Sequence, residues 1–171
     1  MFSVDVNDIN CVQKLKEKLS LLIGGQKLVV LCIGCDRVAG DSLGPMTGTK
    51  LIEQLDKDVI VYGMVDSNIN AKNLLLVKDM IREFHEDRML LVVDAALGRT
   101  TEVGTIQIYP HGLYPGSATN KNLPCVGDIS IVGIVNEKIN AFGLSMLYTA
   151  RQQTVNSMAN AISEGIAKSL A

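Results

Sequence analysis

Two aspartates stand out by position. Asp41 lies in the segment Gly34-Cys35-Asp36-Arg37-Val38-Ala39-Gly40-Asp41-Ser42-Leu43-Gly44-Pro45, which follows the apolar run 28–33. Asp94 closes the apolar run 89–93. An aspartate placed where an apolar strand runs out sits where open α/β sheets put their chemistry. Two such carboxylates can act as acid and base, or can hold a metal ion. At short range they cannot both ionise easily, so one keeps its proton. That coupling matters, because a free Asp with a pKa of about 3.9 is a poor acid at neutral pH. Asp128, at the end of a long loop, is a third candidate. Asp36 and Asp66 also follow strands but are weaker. Of the two histidines, His85 falls in a charged turn and reads as solvated; His111 reads as a lone surface residue.

Other chemistries fit less well. The Walker pattern needs four residues between its glycines and then Lys-Ser/Thr. Here five residues separate Gly34 from Gly40, and Asp41-Ser42 follows, so a carboxylate would repel phosphate. Gly40-Asp41-Ser42-Leu43 matches the signature of the GDSL esterases. Their serine needs a histidine base, and no histidine lies beyond His111. Ser42 is expected to cap the next helix instead. Cys32 and Cys35 have redox-motif spacing, but Cys32 lies inside an apolar run and reads as core. A zinc finger needs a second Cys/His pair, and neither His85 nor His111 pairs locally with a cysteine, which argues against one.

The elements that must position these residues follow from apolar periodicity. Residues 10–22 form an amphipathic helix stopped by Gly24-Gly25. Strands are expected over 27–33, 59–65 and 89–94, with helices over 43–55 and 71–84 between them. Pro45 is tolerated in the first turn of its helix. This βαβαβ rhythm gives a parallel sheet with right-handed crossovers. Residues 104–109 alternate like a strand but follow Asp94 by only about nine residues, too few for a parallel crossover. That strand is antiparallel, and the sheet is mixed. A fifth strand covers 129–135, and a helical stretch runs from 142 to the end. The long Gly/Pro/Asn-rich stretch 111–128 is either a functional loop or a solvated excursion. As a functional loop it would fold over the edge that carries Asp41 and Asp94.

Composition sets the class. The chain of 171 residues, 47% hydrophobic and 20% charged, is long enough for one domain over 1–171 and too apolar to be disordered. The formal net charge of −2 and the absence of a basic run argue against nucleic acid as a partner. No apolar run approaches the ~20 residues that cross a bilayer, and the first residues lack a signal-peptide layout. The expectation is a soluble protein of the cell interior, with no membrane partner.

Taken together, the segments resemble the germination protease of spore-forming bacteria and the hydrogenase maturation proteases. The matching stretches are Asp41-Ser42-Leu43-Gly44-Pro45, Asp94-Ala95-Ala96-Leu97-Gly98-Arg99, Thr105-Ile106-Gln107-Ile108, Gly112-Leu113-Tyr114-Pro115-Gly116-Ser117 and Asn120-Lys121, in preserved order over about residues 28–135. At this length the chain is most similar to the YyaC-type sporulation proteins, shorter relatives of the germination protease.

The resemblance implies a three-layer α/β/α fold on a mixed five-stranded sheet. It implies a peptidase whose catalytic pair is Asp41 and Asp94, with Asp128, Lys121, Gly116 and Ser117 on the substrate side. It implies a protein or peptide substrate, with small acid-soluble spore proteins as the candidates, in the cytoplasm of the forespore or the spore core. No cofactor is required. A divalent metal, if used, would sit on Asp41 and Asp94. A non-catalytic binding or regulatory module of the same fold is the alternative, and homo-oligomerisation stays open. Tyr114 replaces the histidine expected before Pro115-Gly116, and Cys35-Asp36 replaces Gly-Asn.

Overall fold

The computed structural model describes residues 1–55, 59–115 and 124–171. The order is β1 (Phe2–Asp5), α1 (Cys11–Ile23), β2 (Leu28–Cys32), α2 (Leu43–Ile52), β3 (Ile60–Tyr62), α3 (Leu74–Phe84), β4 (Met89–Gly98), β5 (Thr105–Tyr109), β6 (Ile129–Glu137), α4 (Ser145–Tyr148) and α5 (Gln152–Ser169). The sheet has six strands, ordered β1-β5-β6-β4-β2-β3. β6, β4, β2 and β3 are parallel, and β5 runs antiparallel to both β6 and β1. The strand expected to reverse does so. The sixth strand, β1, is a correction to the expected five: four residues with only Val4 buried give too little alternation to read.

β2 has no polar residue and is buried throughout, as a central parallel strand must be. Its side chains alternate between two cores. Val30 and Cys32 join Leu91, Val93, Ile129 and Ile131 beneath α1, α2 and α5. Val29, Leu31, Ile33 and Val92 meet Ile69, Leu74 and Ile81 from the α3 side. Three helices thus cover one face. On the other, α3 and Val126 cover the β2–β4 part, and residues 111–114 lie beside Ser130 and Val132 of β6.

Helix ends follow local chemistry. Gly24 takes a left-handed conformation (φ +58°) and donates its N–H to Ser20, stopping α1. The single helix expected from 142 is broken between α4 and α5. Asn136 on β6 donates its Nδ2 to the Met146 carbonyl (2.8 Å) and to Thr149 Oγ1 (3.2 Å). The first of these occupies the Met146 carbonyl, a group that a continuous helix would use.

α2 lies very close to the sheet because Gly44 has no side chain: a Cβ there would run into the backbone carbonyl of Ile33. Gly44→Ala is expected to cost about 1–3 kcal/mol as overpacking. Urea denaturation checks this, and an unchanged midpoint would contradict it.

Candidate functional site

The chain must turn sharply after β2 to bring Asp41 back to the strand end. Gly34 makes that turn. Its φ is +147°, and a Cβ would meet the Asp41 carbonyl. The Gly34 N–H donates to Ile69 O at 2.8 Å, and the Cys35 N–H donates to Asp41 O at 3.1 Å. The Gly40 N–H reaches Leu147 O at 2.8 Å. Asp36 completes the clamp: its N–H donates to Asn68 Oδ1 (2.6 Å), and its carboxylate accepts the Asp66 N–H (3.3 Å). Bonds from Asp66 and Asn68 hold the Asp36 carboxyl below its usual range. It is a structural tie.

Asp94 does not end its strand. β4 runs four residues past it to Gly98, paired with β6, whereas β2 stops opposite Val93. Asp94 therefore sits where the sheet narrows, beside the loop after β2. Crossovers from β2 and to β4 use opposite faces, which makes this the topological switch point. Asp94 Oδ1 accepts the Ala95 N–H at 2.9 Å. Burial pushes the Asp94 carboxyl well above the usual range, and the nearby charge of Asp41 pushes it further. Burial also raises Asp41, opposed by the Cys35 backbone N–H. The pair is unequal: Asp94 holds the proton longer, and Asp41 ionises first.

Asp94 opens into a cavity of about 270 Å³ on the sheet face, lined also by Ala95, Ala96, Tyr109, His111, Leu113 and Val132. Residues 111–114 of the loop after β5 line this cavity from the face. Tyr109 pairs with Ser130 at the start of β6, so the loop begins at the opposite edge of the sheet. Residues 116–123, on which a fold over the Asp41 edge turns, lie outside the described residues.

Sequence reasoning undervalued His111. It lines this cavity, its Nδ1 lies 2.8 Å from the Gly112 carbonyl, and its ring is 5.4 Å from that of Tyr109. A carbonyl only accepts, so Nδ1 carries the proton and Nε2 is the acceptor in the neutral ring. Alternation could have found it: residues 107, 109 and 111 continue one face of β5.

Asp128 is a correction. Its Oδ2 accepts the Leu90 N–H at 2.8 Å and its own N–H donates to Leu90 O at 2.7 Å. Leu90 is four residues before Asp94 on β4, about 13 Å away at 3.3 Å per residue. Asp128 staples the start of the β4–β6 ladder, at the far edge from Asp41. Lys121, Gly116 and Ser117 lie outside the described residues. Ser42 is buried, and its hydroxyl donates to Ala39 O at 2.7 Å; it makes no side-chain cap. Its backbone is already helical, which turns the hydroxyl away from the helix N–H groups. His85 is half-buried against Tyr62, with 3.0 Å between Nε2 and the hydroxyl. Cys32 is core, its thiol pushed up to about 12 by burial. Among the described residues no group of three His, Cys, Asp or Glu side chains could hold a metal ion. Two carboxylates fall short of a nickel or zinc donor set.

Folding raises the pKa of Asp94, so the folded state binds more protons than the unfolded chain above about pH 4. Stability is full below that pH and falls as pH rises through the folded value. Asp94→Asn keeps the bond from Ala95 and removes the charge. It is expected to be more stable than the parent at pH 7, by about 2–4 °C in Tm per kcal/mol relieved, and equal to it at low pH. Thermal melts across pH check this. Equal melting at neutral pH would show that the buried charge costs nothing.

Comparison with known proteins bears on the fold. A family model described as "Protein of unknown function (DUF1256)" matches residues 3–165. The chain is 40% identical over 143 residues to "Uncharacterized protein YyaC" of Bacillus subtilis (strain 168), covering 83% of this chain and 69% of that one. A crystal structure of the [NiFe] hydrogenase maturation protease HycI from Thermococcus kodakarensis KOD1 superposes with a TM-score of 0.62 at 16% identity, over 90% of this chain and 98% of that one. The α/β fold is that of the maturation protease. No helix among the described residues is long and apolar enough to cross a membrane.

Proposed function

The chain belongs to the DUF1256 family, and from that premise we propose that it is a peptidase that hydrolyses a peptide bond in a spore protein through Asp41 and Asp94. One observation carries the reading: two buried carboxylates at the switch point of the sheet, near enough for the Asp41 charge to raise Asp94, with Asp94 opening into a cavity. Unlike environments on paired carboxylates set acid and base roles. Asp41 accepts a proton from water as the water oxygen attacks the peptide carbonyl. Asp94 gives its proton to the carbonyl oxygen. The tetrahedral intermediate collapses when the leaving nitrogen takes the proton held by Asp41, and the oxygen returns its proton to Asp94.

Small acid-soluble spore proteins are the proposed substrates, in the cytoplasm of the developing spore. The support is the resemblance in the segments around Asp41 and Asp94, and the shared fold. A second reading, a non-catalytic binding module, draws on the cavity lining, which among the described residues has no Lys or Arg to stabilise an oxyanion.

Incubation with spore proteins followed by mass spectrometry separates the two. Cleavage is expected, and Asp41→Asn and Asp94→Asn are each expected to slow it by about 10²–10⁴-fold, since Asn keeps the shape but moves no proton. Cleavage by Asp94→Asn at the parent rate would remove Asp94 from the mechanism. Binding without cleavage in the parent would favour the module.

A further inference from the structure

We propose that the segment from Lys138 to Arg151 is the docking surface for the polypeptide that reaches Asp41, and that it takes an acidic segment with apolar anchors. The proposal adds a substrate class to the peptidase reading and rests on it for the cleavage step alone.

The segment is anchored on its inner side. Leu147 and Ala150 are buried in the larger core, Asn136 holds the Met146 carbonyl, and Leu147 O accepts the Gly40 N–H. That last bond ties it to the loop ending in Asp41. Its outer side is apolar: Phe142 is 59% exposed, Tyr148 62% and Leu144 47%, with Ile139 at 37%. Four large apolar side chains within ten residues form a patch of the kind that marks interaction sites. Tight turns fix their presentation, with the Phe142 N–H on Ile139 O and the Ser145 N–H on Phe142 O.

Charge selects the partner. From residue 138 to residue 151 the segment holds Lys138 and Arg151 and no carboxylate, in a chain of net charge −2. Both cations are exposed. The neighbouring Glu137 carboxylate accepts the Thr100 hydroxyl at 2.9 Å. An apolar strip flanked by cations suits a chain with apolar side chains and carboxylates. The Gly40–Leu147 bond makes the strip continuous with the loop that carries Asp41, which favours a polypeptide running on from the strip to that carboxyl.

The test uses a fluorescein-labelled peptide alternating Glu with Leu and Phe, and a control with Lys in place of Glu, read by anisotropy with the full chain. The acidic peptide is expected to bind, more weakly as salt rises. Phe142→Ser with Tyr148→Ser, and separately Lys138→Glu with Arg151→Glu, are each expected to weaken it about tenfold or more. These exposed positions leave the core intact, and circular dichroism checks that. Binding by the parent together with no cleavage of any spore protein would leave docking standing and the peptidase reading fallen. No binding, equal binding of both peptides, or parent-like binding by the variants would overturn the proposal. So would the same substitutions abolishing capture on phosphatidylglycerol vesicles or dissociating a dimer, with no effect on the peptide.

Discussion

The structure depends on how closely α2 approaches the sheet. Gly44 lies against the Ile33 carbonyl, and Gly48 against the carbonyl of Gly63. Any side chain at either position would lift the helix, and the loop that enters it would move too. That loop carries Asp41, already folded back on Gly34. Backbone-on-backbone contact is stiff because carbonyls cannot change rotamer as side chains do. It therefore sets where the Asp41 carboxyl stands relative to Asp94. The ties from Asn68, Asp66 and Leu147 to the same loop serve that one placement.

The two faces of the sheet are covered unequally. α1, α2 and α5 pack one face into a continuous core, in which Gly165 lets α5 sit against Leu15 of α1. The other face has α3, Val126 in the smaller core, and residues 111–114 beside Ser130 and Val132 of β6. A parallel sheet is usually covered by helices on both sides. Where helix is missing, the face carries Ser130, Gln107, Tyr109 and Asp94, and a cavity remains beside Asp94. Gln107 stays buried there because its Oε1 accepts the Tyr109 hydroxyl at 2.6 Å.

Burying two carboxylates without a cation beside them works against folding. The chain places one such pair at the switch point, while Asp8, Asp36 and Glu102 elsewhere are held in charge-stabilising bonds. Local instability of this kind is what an acid–base pair requires, since only a desolvated carboxyl keeps a proton toward neutral pH. His111 adds an imidazole to the same cavity.

Much of this was legible in the residues. The apolar runs of β2 and β4, the helical spacing of α1 and α5, and an aspartate at the end of each run are local patterns, and periodicity reads local patterns well. The short gap after Asp94 already required an antiparallel strand. What the sequence could not determine depends on pairing between distant segments. β4 outlasts β2 because β6 is there to pair with it. Asp128 belongs to the far edge because β5 runs backwards and delivers the loop there. His111 shares a cavity with Asp94 only because the residues just after β5 lie along the sheet face. Each of these is a non-local hydrogen-bond ladder or a chain direction, and no window of sequence contains both partners.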